Sequence, residues 1–144
     1  MNTMKKLNNL YVFVLAIGAI ALLAACGGGE PPAPAQPDPV TLTFVGTDDF
    51  AWDPGTVTVQ TGQEVTVVLD NQGALEHNWI LANANVDVAT ASDADALYGA
   101  NAGYVQGGET GEVTFTAPGP GEYLYICTVA GHAAGGMVGT ITVE

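Results

Sequence analysis

"YLYICTVAGHAAGGMVG" (Tyr123–Gly139) opens with aromatic and β-branched residues, passes through an uncharged loop of small residues, and leads into "GTITV" near the end of the chain. The opening and the closing segments read as strands. Between them Cys127, His132 and Met137 stand as C-x4-H-x4-M. Gly131, Gly135 and Gly136 give the loop backbone angles that other residues avoid, so three side chains can be turned toward one point.

The same alternation recurs upstream in "VTLTFVG", "TVTVQ", "EVTVVLD", "HNWILA" and "EVTFTA". These runs are separated by "DPG", "TGQ", "DNQG" and "PGPG", whose Pro and Gly supply the angles that turns require. Seven short strands in about one hundred residues predict an all-β sandwich over residues 40–144. The excursion from Asn83 to Gly108 carries no strand signal. Within it Ser92 as N-cap, Asp95 three positions on and Gly99 as terminator predict one short helix.

Ahead of the sandwich, "MNTMKK" precedes an apolar run from Leu10 to Ala25, about sixteen residues and short of the ~20 a membrane span needs, which is the pattern of a secretory signal. It ends in Leu23-Ala24-Ala25-Cys26, similar to the lipobox of bacterial lipoproteins. Residues 1–25 are therefore read as a lipoprotein signal peptide and Cys26 as the lipidated residue, anchoring an exported protein on the extracytoplasmic (periplasmic) side of a membrane. Residues 26–39 continue as "GGGEPPAPAQPDP", a Gly/Pro-rich tether of about 40 Å reach that cannot bury apolar surface.

The chain has 15 Asp and Glu against two basic residues, Lys5 and Lys6, which leave with the signal peptide. A surface with carboxylates and no Lys or Arg repels nucleic acid and anionic lipid. It fits either the steering of a cationic protein partner or solubility in a saline habitat.

Removing the signal peptide and lipidating Cys26 leaves one thiol, Cys127, two imidazoles, His77 and His132, and one thioether, Met137. An exported protein with a single unpaired cysteine has no disulfide to form. Taken singly, each of these residues has a bland reading as a small hydrophobe, a satisfied polar group or a gap filler. Together they are the ligand set of a blue-copper electron-transfer site, trigonal His₂Cys with a weak axial Met. His77 lies fifty residues before Cys127, so the site is divided between two parts of the scaffold.

At "EHNW" and "YICTVAGHAAGGMVGT" the chain resembles the cupredoxins, and is similar among them to the auracyanins, over essentially all of residues 40–144. The resemblance implies a Greek-key β-sandwich and one type 1 copper ion, with His77, Cys127 and His132 as equatorial ligands and Met137 as the axial one. It implies that Asn78 ties the ligand loops together beside the thiolate. Glu76 stands where azurins have a glycine whose carbonyl makes a fifth weak contact. The implied function is a membrane-tethered electron carrier, not an enzyme, cycling Cu(II)/Cu(I) between larger redox proteins. Its donor would be a quinol-oxidising membrane complex and its acceptor a reaction centre or terminal oxidase. Electrons would pass through the edge of His132 within a docking patch of Val129, Ala130, Ala133 and Ala134. A tether and one patch suit a monomer.

Three other classes compete with this reading. Zinc handling is disfavoured by Met137, since structural zinc takes sets of Cys and His; copper delivery or storage remains the alternative. Nitrite reductases and multicopper oxidases need further histidines and domains. An immunoglobulin-like adhesion module would leave Cys127 free.

Overall fold

The computed structural model describes residues 35–144, so the signal peptide, Cys26 and the tether as far as Pro34 lie outside the described residues. Nine strands follow: β1 (Val40–Gly46), β2 (Trp52–Asp53), β3 (Thr56–Val59), β4 (Glu64–Asn71), β5 (His77–Asn83), β6 (Asn101–Val105), β7 (Thr110–Thr116), β8 (Gly121–Ile126) and β9 (Val138–Val143). One sheet has the order β2-β1-β4-β7 and the other β3-β9-β8-β5-β6. The chain crosses to the second sheet for β3 and returns for β4, which is why β1 and β4 pair in parallel. Among the described residues no helix is long and apolar enough to cross a membrane.

Alternation in the sequence becomes the core. In β4 Val65, Val67 and Leu69 are fully buried while Thr66, Val68 and Asp70 are partly exposed. They meet Trp79, Leu81, Tyr125 and Ile141 from the facing sheet, with Phe44 between. Each such side chain contributes about 1.5–3 kcal/mol by leaving water.

β5 departs from alternation: His77 through Ala82 are all buried. Both of its faces are covered. Trp79 and Leu81 enter the core, whereas Ile80 and Ala82 join Ile126 and Ala133 in a second cluster roofed by Val86, Val88, Ala91 and Ala96 of the excursion.

That excursion corrects two expectations. It contains β6, which pairs with β5 and closes that edge of its sheet. "NAGYV" has low strand propensity, so the pairing partner, not the local sequence, makes it a strand. The helix predicted from Ser92 is a single 3-10 turn, Asp93–Asp95. Its start forms as expected, since Ser92 N–H donates to the Asp95 carboxylate at 2.8 Å. It ends after one turn because Leu97 N–H donates to the Leu81 carbonyl at 2.8 Å and Leu81 N–H to the Ala100 carbonyl at 3.0 Å. The next backbone groups are thus taken by β5. Gly99 does adopt the positive φ, 71°, expected of a terminator.

β8 lies antiparallel between β5 and β9, with Ile80 opposite Ile126 and Tyr125 opposite Gly139. The start of β5, the end of β8 and the start of β9 therefore meet at one end of the sandwich. Gly139 is required there, because a Cβ at that position would fall inside the Tyr125 ring. The ring cannot withdraw: it packs at 4.6 Å from Phe44 and 5.9 Å from Trp79, and its hydroxyl donates to the Pro54 carbonyl at 2.6 Å. We predict that Gly139→Ala lowers the stability of the metal-free protein by about 1–3 kcal/mol or more, the usual cost of overpacking. Urea denaturation measures it, and an unchanged midpoint would contradict this packing.

Candidate metal centre

His77 is the first residue of β5, Cys127 follows the last residue of β8, and His132 and Met137 lie on the loop to β9. The loop is drawn into shape by its own backbone. Cys127 N–H donates to the Met137 carbonyl at 3.2 Å, Met137 N–H to the His132 carbonyl at 3.0 Å, and His132 N–H to the Val129 carbonyl at 3.0 Å. Gly131 and Gly136 have φ of 87° and 117°, which side-chain-bearing residues rarely adopt.

Three donor atoms converge. The two Nδ1 atoms of His77 and His132 are 3.1 Å apart, and Cys127 Sγ lies 3.9 Å from the first and 3.5 Å from the second. A first-row ion bonded at about 2.0 Å to nitrogen and 2.3 Å to sulfur, with angles near 120°, separates its donors by roughly 3.5–3.8 Å. The triangle fits one such ion. Met137 is fully buried beside it: its methyl carbon and the His77 ring lie 3.2 and 3.4 Å from where a Cβ on Gly46 would sit. Gly46 thus leaves room for both the Met137 methyl group and the His77 ring, a role the sequence does not signal.

Burial is the largest influence on the proton affinity of these donors. It pushes the Cys127 thiol up, more than the N–H groups of Asn78 and Val129 pull it down, and Glu76 and Asp93 add to the rise. Burial holds both imidazoles below their usual range, with His132 adding to the effect at His77 and the Asp48 charge opposing it at each. Asp48 accepts from Ala74 and Leu75 N–H at 2.9–3.0 Å, which keeps its carboxyl below the usual range. Its Oδ1 is 3.9 Å from the buried His77 Nε2, too far for a hydrogen bond but close enough to act through its field.

Asn78 is buried and spans the two ligand-bearing strands. Its N–H points at Cys127 Sγ, 3.5 Å away, and its side-chain oxygen accepts from Thr128 N–H at 2.6 Å. Glu76 is turned away to the side chain of Gln106, which donates to it.

Of the residues expected around His132, Ala130 and Ala134 are exposed and Val129 is half-buried. Ala133 is turned inward against Ile80 and Ile126, so it offers no surface for docking. Phe50 takes its place in a way the sequence does not reveal. Its ring lies 4.4 Å from the His132 ring, centroid to centroid, and occupies the space beside Gly135, where a Cβ would come within 2.8 Å of it. Phe50 does this from a left-handed backbone, φ 56°, a conformation costly for a bulky residue.

Comparison with known proteins agrees with the geometry. The model of copper binding proteins of the plastocyanin/azurin family matches residues 40–144. Auracyanin-A of Chloroflexus aurantiacus is 36% identical over 151 residues, covering 90% of this chain and 93% of that protein. The solved structure of auracyanin A, a "blue" copper protein from that bacterium, aligns with a TM-score of 0.61 and 37% identity, over 74% of this chain and 99% of the other. The copper-resistant cuproprotein CopI of Rubrivivax gelatinosus is 31% identical over 109 residues, 72% of this chain and 66% of that protein. The chain belongs to the plastocyanin/azurin family of copper-binding proteins, as an auracyanin-like cupredoxin with one type 1 copper ion as its cofactor.

Proposed function

We propose that the domain is an electron carrier and not an enzyme, in which His77, Cys127 and His132 would hold copper and Met137 would supply a weaker fourth donor. One observation carries this reading: His77, Cys127 and Met137 are fully buried and His132 is 7% exposed. Catalytic metal sites keep a position open for substrate. A donor set closed in this way suits exchange of an electron through a ligand instead.

Copper, when bound, supplies a Cu(II)/Cu(I) couple. The chain's contribution is a donor triangle already in place, which limits the rearrangement that accompanies electron exchange. Asn78 N–H directed at Cys127 Sγ, and the amide side chain joined to Thr128, keep the sulfur oriented. His132, covered by Phe50 and bordered by Ala130 and Ala134, is the ligand nearest the surface and the route by which the electron leaves. A carboxylate surface without Lys or Arg orients a basic redox partner at that end. The signal peptide directs export and is removed, after which the lipid on Cys26 and the tether of residues 26–39 keep the monomeric domain at the outer face of a membrane, within reach of larger redox complexes.

A second reading, copper delivery or storage, is favoured by the likeness to the copper-resistant cuproprotein CopI. Cu(II) loading separates the two. The carrier gives an intense thiolate-to-copper band that bleaches and returns through repeated reduction and oxidation; a colourless or irreversibly oxidised product excludes it. Cys127→Ser abolishes the band with the β-sandwich intact by circular dichroism. Met137→Leu keeps the band and raises the reduction potential, because a lost axial donor costs the more highly charged ion more; an unchanged potential removes Met137 from the ligand set.

Copper uptake also has a pH signature. The thiol, raised by burial, is protonated at neutral pH, whereas the imidazoles, lowered by burial, are already neutral. Binding near pH 7 therefore releases about one proton, and affinity rises with pH. Calorimetry in buffers of different ionisation enthalpy counts it, and release of none would mean a preformed thiolate. Reaction with a basic cytochrome slows as ionic strength rises; a rate independent of salt would leave the missing basic residues to solubility or habitat.

A further inference from the structure

The 3-10 turn Asp93–Asp95 sits over the outer face of β5, where Asn78 also points, and it delivers a carboxylate to the edge of the metal centre. Asp93 Oδ1 accepts two hydrogen bonds, from Asn78 Nδ2 at 2.9 Å and from the Thr128 hydroxyl at 2.8 Å. Asn78 Nδ2 donates its other proton to Thr128 Oγ1 at 2.7 Å, and Asn78 Oδ1 accepts from Thr128 N–H at 2.6 Å. Tyr104 of β6 reaches the same hydroxyl oxygen at 3.4 Å.

These bonds account for every donor involved. The Asn78 amide has two protons and both are used; the Thr128 hydroxyl has one, given to Asp93, and two lone pairs, facing Asn78 and Tyr104. The atom that closes this ring must accept both bonds and donate none, as a carboxylate oxygen does. Asn78 and Thr128 directly follow His77 and Cys127, so whatever fixes this pair fixes the separation of the two ligands.

We propose that Asp93 is a positioning residue for the copper centre, its carboxylate locking Asn78 to Thr128 and setting a negative charge beside the ligand sulfur. This rests on the copper reading of the site. The charge favours Cu(II) over Cu(I), and the hydrogen bonds hold the donors in place. The two effects separate by substitution. Asp93→Asn keeps an acceptor oxygen and loses the charge; Asp93→Ala loses both.

The test uses the full chain in copper-loaded and copper-free forms. Both variants should have a reduction potential above that of the unaltered protein. Asp93→Ala should in addition lose copper to a chelator faster, by roughly the tenfold or more typical of ligand-supporting groups. In the copper-free protein its Thr128 amide should exchange with solvent faster, a readout that needs no metal. Asp95→Asn is the control, because it removes the same charge from the same turn but faces Ser92; it should leave potential, copper release and Thr128 exchange unchanged. The proposal is overturned if Asp93→Ala leaves copper release and Thr128 exchange unaltered, if Asp93→Asn leaves the potential unaltered, or if Asp95→Asn reproduces the Asp93 effects. If the unaltered protein takes up no copper, the copper reading fails, while the exchange measurement still decides whether the lock exists.

Discussion

The structure turns on the cost of gathering three electron-pair donors in a place that water does not reach. His77 Nδ1, His132 Nδ1 and Cys127 Sγ lie within 3.9 Å of one another, in side chains that are at most 7% exposed. Lone pairs facing one another without solvent are unfavourable unless a cation joins them. The fold supplies the opposing free energy from burial elsewhere: Phe44, Trp79 and Tyr125 pack against one another in the core where the two sheets meet. The donors are consequently held together by the sandwich, and the ion meets a geometry instead of making one.

Two strands of one sheet and a loop suffice for this. β5 and β8 are antiparallel neighbours, so the residue that begins one and the residue that follows the other fall at the same end. β9 returns on the far side of β8, and the loop between them is closed by the Cys127–Met137 backbone bond. Covering β5 on both faces stiffens the strand that begins with His77. The excursion is therefore a second wall, burying Ile80, Ala82 and Ile126, and its turn reaches Asn78.

This division explains what could be read without coordinates. Most of the seven strands show in the alternation of Val, Thr and aromatic residues because their faces separate core from solvent, whereas β5, covered on both faces, shows through its apolar run. The donors show because residues 35–144 hold no other Cys, His or Met, and Cys127, His132 and Met137 follow one another within eleven residues. β6 does not show, because "NAGYV" is a strand only by pairing with β5. The predicted helix shrinks to one turn because Leu81 competes for the backbone groups that would continue it. Phe50, Gly46 and Asp93 carry no local signal: each matters through a neighbour distant in sequence. Ala133 was expected outside from the family resemblance, yet the turn that orients His132 sends its successor inward.

The missing basic residues have a structural consequence as well as an electrostatic one. With Lys5 and Lys6 both in the N-terminal segment, residues 35–144 hold no lysine or arginine with which their own carboxylates could pair. The carboxylates bind neutral donors instead. Asp48 takes the N–H groups of Ala74 and Leu75, Asp93 takes Asn78 and Thr128, Asp95 takes Ser92, and Asp70 takes Gln72. A bond from a neutral donor to a carboxylate orders the chain but leaves its charge uncancelled. Loops around the metal centre are thereby fixed by the same groups that give the surface its negative field. Surface ion pairs would have given little stability and would have erased that field. A chain that orders its ligand loops with unneutralised carboxylates keeps a rigid centre and a long-range negative field with one set of side chains.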